Sequence, residues 1–198
     1  MLTVILLRHG ETAYNANGNQ YCGRTDIALN ARGVDQAKRM QQLLKEYTFD
    51  AVFCSPLMRA RQTAEIASGA VHALQVDKRL IEVDFGRWEG KRASEFIAED
   101  PQAWDNWLRS PEDYAAGTIG ETGRQVIERV NSFYEDVLER YDGKTVLIVG
   151  HNGINRLFLA NQLGMPLANY RRIVQENSAL TLFTLDKAAG FSLLKLNA

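Results

Sequence analysis

The sequence predicts an α/β fold, a three-layer α/β/α sandwich with a mostly parallel central sheet. Three short apolar runs, at residues 2–7, 50–54 and 145–149, contain β-branched residues and show no alternation of apolar and polar side chains. Such runs are typical of parallel strands that helices cover on both faces. Stretches of helical period separate the runs along the chain, and this alternation indicates a sheet between two helical layers.

The first part of the chain contains the clearest helical periods. Residues 11–26 are polar and rich in Asn and Gly, so we expect a loop or a short, distorted helix. A helix is predicted over residues 32–47, and Asn30 is its predicted cap. Apolar side chains recur on one stripe of that helix: Val34, Ala37, Met40, Leu43 and Leu44. A second helix is predicted over residues 57–69, and residues 73–76 are a weaker strand candidate.

The middle of the chain lacks a clear period. Residues 79–90 are predicted to be a loop, and residues 98–120 are predicted to be irregular because Pro101, Pro111 and Gly117 interrupt them. We expect the segment 98–120 to form a short excursion over the strand ends. No repeat or low-complexity tract divides the chain, so a single domain over residues 1–198 is expected.

The last third returns to regular elements. Thr122 and Gln125 match a capping box, which predicts a helix that begins there. A strand at residues 145–149 and a helix over residues 153–162 follow. Two apolar stretches, at residues 180–185 and 191–196, are predicted to form a closing hairpin.

Composition restricts the classes of partner. The 198 residues include 23 Lys and Arg against 24 Asp and Glu, a net charge of -1, so no global field favours nucleic acid or an anionic membrane. The two cysteines, 32 positions apart, form no metal-binding or disulfide pattern. We expect a cytoplasmic monomer or homodimer without nucleic-acid or membrane partners.

Two of the three histidines directly follow predicted strands. His9 follows the first apolar run and His151 follows the last of the three. Ligands in open α/β sheets bind at the carboxyl ends of the strands. Arg8 beside His9, and Arg59 after the second run, add positive charge at the same edge. These groups indicate an anion site, most simply for phosphate, although a core histidine bonded to backbone is the structural alternative for each imidazole.

The motif Leu7-Arg8-His9-Gly10-Glu11-Thr12 resembles the signature of the histidine phosphatase superfamily, which includes the cofactor-dependent phosphoglycerate mutases. The resemblance is strongest to its compact phosphatases, such as α-ribazole phosphatase and broad-specificity phosphatases. It continues through ordered blocks as far as residue 156: Asn15, Gly23 to Asp26, Ser55-Pro56-Leu57 with Arg59, Leu80 with Glu82, Phe85-Gly86, Trp88-Glu89-Gly90, and Gly150-His151 with Gly153 and Arg156. It implies a phosphoglycerate mutase-like fold.

The resemblance implies a metal-independent reaction without a cofactor. His9 would accept the phosphoryl group as a phosphohistidine. Four residues would bind the phosphoryl oxygens: Arg8, Asn15, Arg59 and His151. His151 would be cationic in this role, since a nearby phosphate dianion favours that form. No histidine and glutamate lie at i, i+3 or i, i+4 spacing, and the arginines would repel a metal ion.

Glu82 is the implied proton donor to the leaving group, and it must hold a proton near neutral pH to act. Asp84 and Glu89 compete for this role within the same loop. Arg24 is a further candidate for substrate binding, with a solvated loop arginine as the alternative. Asn15 has a structural alternative as a helix cap.

The predicted function is hydrolysis of a phosphomonoester of a small phosphorylated metabolite. Phosphoryl transfer of the phosphoglycerate mutase type is one alternative, and a non-catalytic protein that binds a phosphorylated ligand is another. The sequence departs from the family pattern at Asn152 and Asn155, which follow the second catalytic histidine. These departures bear on the substrate rather than on phosphoryl transfer.

Overall fold

The protein folds around one six-stranded sheet, described by a computed structural model for residues 1–70 and 72–198. The strand order is β3-β2-β4-β1-β5-β6. The strands are β1 (Leu2–Arg8), β2 (Ala51–Cys54), β3 (Leu74–Val76), β4 (Thr145–Gly150), β5 (Leu180–Asp186) and β6 (Gly190–Lys195). The first four strands are mutually parallel, whereas β5 pairs antiparallel to β1, and β6 to β5. The mostly parallel sheet and the closing hairpin are therefore confirmed.

Helices cover both faces of the sheet. They are α1 (Ala13–Ala16), α2 (Ala31–Leu44), α3 (Met58–Ser68), α4 (Ala93–Glu99), α5 (Pro101–Arg109), α6 (Gly123–Arg140) and α7 (Asn152–Gln162). Across the described part of the chain, no helix combines the length and the apolar character that crossing a membrane requires.

The central strand β1 shows why its sequence lacks alternation. Leu2, Val4 and Leu6 belong to the core cluster that α6 and α7 cover. Ile5 and Leu7 belong to the opposite cluster, with side chains of α2 and α3. Because both faces of the strand are covered, apolar residues occupy every position between Val4 and Leu7. The three-layer prediction is confirmed.

Local capping signals set several helix starts as predicted. The Asn30 side chain accepts a hydrogen bond from the Gly33 N–H at 2.8 Å and begins α2. Thr122 and Gln125 form the predicted capping box of α6. Gly69 ends α3 with a φ of 68°, in the left-handed region that favours glycine. One detail of the α2 stripe is wrong: Leu43 lies on the exposed side.

The predicted irregularity of residues 98–120 is wrong. Helix α5 occupies 101–109, and a short 3-10 turn covers Ala116–Thr118. Pro101 is the first residue of α5, where its missing N–H costs nothing, and the Asp100 side chain caps the helix through the Ala103 N–H at 3.0 Å. Trp107 is buried and donates to the Tyr170 hydroxyl at 3.2 Å. The segment is thus a packed part of the helical layer.

Candidate active site

The parallel pairing of β1 and β4 brings the two histidines together. Arg8 is in register with Gly150, so the residues that follow each strand emerge side by side. The His9 N–H donates to the Gly150 carbonyl at 3.1 Å. The imidazole rings of His9 and His151 lie 5.1 Å apart, centroid to centroid, at 61°. Two groups from opposite ends of the sequence therefore form one site.

A cavity of about 550 Å³ opens at this edge of the sheet. Four of the predicted site residues line it: Arg8, His9, Asn15 and Glu82. His151 and Arg59 are completely buried, and the His151 ring lies beside the ring of His9. The charges of Arg59 and Arg8 oppose protonation of His9. None of residues 98–120, all of which are described, lines the cavity, so the expected excursion over the site has no counterpart in its walls.

The geometry of His9 suits a neutral nucleophile. Its Nδ1 lies 2.7 Å from the Gly10 carbonyl oxygen. A carbonyl only accepts, so Nδ1 carries the hydrogen and Nε2 keeps a free lone pair. Burial, followed by the charges of Arg59 and Arg8, holds the pKa of His9 well below its usual range. The imidazole is therefore neutral, and its Nε2 lone pair is available to attack at neutral pH.

His151 is the second imidazole of the site. Burial lowers its pKa well below the usual range, and the charge of Arg59 and the neighbouring His9 lower it further. Both effects favour the neutral ring in the protein without a bound phosphate, and the cationic form beside a phosphate dianion stays a prediction. Its Nε2 lies 2.7 Å from the Ser55 hydroxyl, and within the described residues its buried Nδ1 has no hydrogen-bond partner.

Both predicted arginines are fixed by backbone carbonyls. Arg59 donates to the carbonyls of Cys22, Gly23 and Thr25 at 2.8–3.0 Å. Arg8 donates to the Gln175 carbonyl at 2.8 Å. Burial, with the charge of Arg156, lowers the pKa of Arg8 to about 10, which leaves it charged at neutral pH. The Nε of each of these two arginines is buried and meets no acceptor in 1–70 or 72–198.

The carboxyl group of Glu82 is held at the N-terminus of α7. Its Oε1 accepts from the N–H groups of Val83 and Ile154 at 2.9 and 3.0 Å, and its Oε2 accepts from Gly153 at 2.9 Å. A Cβ on Gly153 would lie 2.7 Å from Glu82 Oε1, so a side chain there would displace the carboxyl group. The close approach of the Glu82 carboxyl group to the backbone therefore requires glycine at position 153.

The two competing acids have structural partners instead. Asp84 accepts from the Gly86 N–H at 2.9 Å, and Glu89 accepts from the N–H groups of Gly23 and Thr25 at 3.0–3.1 Å. Neither lines the described cavity. Glu82 is therefore the carboxyl group of this loop that the fold brings to the site.

Asn15 has the predicted capping role and also lines the cavity. Its Oδ1 accepts from the N–H and the hydroxyl of Thr12 at 3.1 and 3.0 Å, which forms a capping box for α1. Because Oδ1 is occupied, the Nδ2 end of the amide is the one that can donate into the cavity. Arg24 does not line the cavity. Its guanidinium pairs with Glu121 at 2.9 Å and its Nε is buried, so Arg24 is an ion-paired residue rather than the solvated arginine of the alternative.

Sequence reasoning missed a group of polar residues that support the site. Thr63 accepts from the Gly10 N–H at 3.0 Å and donates to the Arg59 carbonyl at 2.7 Å, which links both motifs. Asn177 donates to the His9 carbonyl at 3.0 Å. Thr63 lies four residues after Arg59, which places both on one helix face, and this spacing was an available signal. Asn177 lies in a segment without any local pattern.

Packing against the start of α2 requires glycine at position 10. A Cβ there would lie 2.6 Å from the Gly33 carbonyl oxygen, at the start of α2. In the described residues, no group of three His, Cys, Asp or Glu side chains is arranged to hold a metal ion.

Comparisons with known proteins show the family of the chain. The family model for the histidine phosphatase superfamily (branch 1) matches residues 4–198, so the chain belongs to that family. It is 35% identical over 162 residues to the adenosylcobalamin/alpha-ribazole phosphatase of Escherichia coli, which covers 81% of this chain and 79% of that protein. It is 31% identical over 198 residues to phosphoserine phosphatase 1 of Hydrogenobacter thermophilus, covering 100% of this chain and 92% of that protein.

A solved structure extends the similarity to three dimensions. The YhfR protein of Bacillus stearothermophilus superimposes with a TM-score of 0.88 at 30% identity, covering 98% of this chain and 95% of that one. Since its relatives in the family are named phosphatases and the fold is shared, this chain is a phosphatase.

Proposed function

We propose that the protein hydrolyses the phosphomonoester of a small phosphorylated metabolite through a phosphohistidine on His9. In the first step, His9 Nε2 forms a bond to phosphorus, the bond to the leaving oxygen breaks, and Glu82 gives that oxygen a proton. In the second step, water attacks phosphorus, Glu82 takes up a proton from the water, and the P–N bond breaks. Phosphate leaves and both side chains return to their starting forms.

The observation that carries this proposal is a set of three buried donors without partners beside a neutral imidazole. They are Arg8 Nε, Arg59 Nε and, when the Ser55 hydroxyl donates to His151 Nε2, His151 Nδ1, each unpaired within the described residues. A buried donor that makes no hydrogen bond costs roughly 1–3 kcal/mol. Phosphoryl oxygens are acceptors with negative charge, so they satisfy all three donors and stabilise the charge that develops during transfer. We call these three residues, with His9 and Asn15, the phosphate cradle.

The Glu82 contacts suit a group that alternates between acid and base. Its Oε1 accepts two hydrogen bonds and its Oε2 accepts one. Each carboxyl oxygen has two lone-pair directions, so one direction of Oε2 is left for a proton. The carboxylate that remains after proton transfer keeps all three N–H donors. The open direction of Oε2 is where the proton would lie before the first step and where the carboxylate would accept a proton in the second.

The names of the relatives support a small phosphorylated substrate. They include phosphatases for α-ribazole phosphate, phosphoserine and 2-carboxy-D-arabinitol 1-phosphate. A phosphoserine phosphatase of Entamoeba histolytica in complex with 3-phosphoglyceric acid has a TM-score of 0.90 to this chain at 26% identity. The cytoplasmic location and the monomeric or dimeric state stay predictions.

Phosphate release measured in the presence of a chelator tests the proposal. We expect an aryl phosphate and several sugar and hydroxy-acid phosphates to release inorganic phosphate. A second assay supplies 3-phosphoglycerate with a trace of bisphosphoglycerate. Fast isomerisation with negligible phosphate release would show a mutase. Binding of a phosphate analogue without hydrolysis of any ester between pH 4 and pH 8 would show a binding protein. Either result contradicts the proposal.

A further inference from the structure

A second pair of arginines lies in the same cavity, beside the phosphate cradle. Arg156 lies on α7, one turn after Asn152, and Arg171 lies in the 3-10 helix Leu167–Arg172. Both side chains line the cavity together with Glu82. The proposed phosphoryl transfer uses neither of them, so their presence requires a separate explanation.

Aromatic faces hold both guanidinium groups in place. The Arg156 guanidinium lies over the Tyr170 ring, 5.1 Å from its centroid, and its Nε donates to the Asn152 carbonyl at 3.2 Å. The Arg171 guanidinium lies 4.8 Å from the centroid of Trp104 and donates to the Tyr21 hydroxyl at 3.1 Å. Contact with an aromatic face orients the plane of a guanidinium and leaves donors at its edge free.

Neither arginine of this pair forms an ion pair with a carboxylate in the part of the chain that the structure describes. Within residues 1–70 and 72–198, every ion pair with an N–O distance of 4.0 Å or less involves a cationic group other than Arg156 and Arg171. Arg32, another arginine of the cavity wall, does have such a partner in Glu11 at 3.5 Å. Two like charges held side by side in a cavity attract an anionic group.

The position of the pair fixes which part of a substrate it meets. Gly153 and Ile154 hold the carboxyl group of Glu82, and Arg156 follows two residues later on the same helix. Glu82 contacts the leaving oxygen in the proposed reaction. Arg156 lines the cavity together with both Arg8 and Glu82, so a group on the leaving side of an ester bound at His9 lies within its reach.

We infer that Arg156 and Arg171 bind a carboxylate on the leaving group, so that the preferred substrates are phosphomonoesters of hydroxy acids. The planar fork of a guanidinium matches the two coplanar oxygens of a carboxylate. The inference rests on the proposed function, because attack at His9 defines the leaving group.

Two matched substrates test the inference. Glycerol 3-phosphate carries a hydroxymethyl group where 3-phosphoglycerate carries a carboxylate. For the wild type we expect kcat/KM to be about tenfold or more higher for 3-phosphoglycerate, because hydrogen bonds to charged groups are the stronger ones. The substitution Arg171→Gln, at an exposed residue, lowers this ratio about tenfold. Arg156→Lys, which keeps the charge and loses the planar fork, also lowers it. The neighbouring exposed Arg172, which does not line the described cavity, supplies the control Arg172→Gln with an unchanged ratio.

Failure of the inference is separate from failure of the proposed function. A wild-type ratio near one, or a ratio that neither variant changes, overturns the carboxylate site while phosphate release still supports the phosphatase. A greater preference for propanediol bisphosphate than for 3-phosphoglycerate assigns the pair to a second phosphate and also overturns it. If no ester is hydrolysed, the proposed function fails. The carboxylate site is then tested by calorimetry, as the ratio of the Kd values of the same two esters in the wild type and in Arg171→Gln.

Discussion

Two sets of arginines in this molecule have opposite environments. In the outer set, Arg79 pairs with Asp77 at 2.8 Å and Asp136 at 2.6 Å. Arg129 pairs with Glu121 at 2.9 Å and also donates to the carbonyls of Arg79 and Glu82 at 2.6 and 3.3 Å. At the cavity, Arg8 and Arg59 donate to backbone carbonyls, and in the described residues neither has a carboxylate partner within 4.0 Å.

The difference shows how a fold can position a cation and still preserve its charge. A carboxylate cancels the charge of the arginine that it binds, whereas a carbonyl fixes the same guanidinium with a dipole and leaves the net charge in place. The outer arginines link elements of the fold. The cradle arginines are positioned as firmly, yet they keep their charge for a phosphoryl group and lower the pKa of His9.

The largest contrast is expected when one arginine of each set loses its charge. Arg59→Met removes a charged donor from the phosphoryl group, so kcat/KM for an aryl phosphate falls on the order of 10²–10³-fold. Arg79→Met removes a partly exposed ion-paired group, so kcat/KM stays within about twofold while the free energy of unfolding falls by roughly 1 kcal/mol. Steady-state kinetics and urea denaturation of both variants measure this. Similar kinetic losses in the two variants would contradict the distinction.

A smaller effect is expected at the acid, and it depends on the leaving group. Glu82→Gln keeps the shape of the side chain but removes the transferable proton. We expect kcat to fall about 10²-fold for an alkyl phosphate, whose alkoxide needs protonation, and less than about tenfold for a nitrophenyl phosphate. Asp84→Asn is the matched control, with any loss equal for both esters. Equal losses for both esters in Glu82→Gln would remove its role as proton donor.

A third effect, on folding and not on catalysis, concerns stability against pH. His9 and His151 have lowered pKa values in the folded protein, whereas imidazoles of the unfolded chain titrate near about 6.5. Below that pH the unfolded chain binds protons that the folded protein does not, so stability is lost as the pH falls. The loss is roughly 1.4 kcal/mol per pH unit for each histidine. Urea denaturation between pH 7.5 and pH 5 measures it.

The variant His151→Gln should halve the slope of the free energy of unfolding against pH.

The outer set of arginines affects stability in a lower range of pH. Burial raises and the Arg79 guanidinium lowers the pKa of Asp77, and the net pKa is lowered. Its contribution is present above about pH 4 and is lost as the pH falls through the lowered pKa. A slope between pH 6.5 and pH 5 that His151→Gln leaves unchanged would contradict the assignment to the histidines.

Local patterns predicted the strands, two helix starts and the meeting of His9 and His151 at one edge of the sheet. His9 and His151 follow strands buried on both faces, and parallel strands that end at one edge bring such residues together whatever their separation in sequence. Asn30 and Thr122 mark helix starts through short-range hydrogen bonds, so their signals are contained in four residues. These features depend on neighbours in sequence or on a general rule of topology.

Long-range packing explains what the sequence did not predict. Pro101 suggested a break, yet after Asp100 it begins α5, and Trp104 and Trp107 already had helical spacing. The neutral state of His151 depends on complete burial, which no local pattern reveals. Arg171 reaches the cavity through contacts with Trp104 and Tyr21, from distant parts of the chain.

The most direct test of the account is detection of the phosphoryl group on His9. A radiolabelled phosphomonoester is mixed with enzyme, and the reaction is quenched in alkali within one turnover. The account predicts a phosphoenzyme that is stable to base and labile to acid, with the label on the peptide that contains His9. His9→Ala should fold normally by circular dichroism and carry no label. A wild-type enzyme that releases phosphate without any labelled intermediate, or a His9→Ala variant with an unchanged rate, would contradict the account.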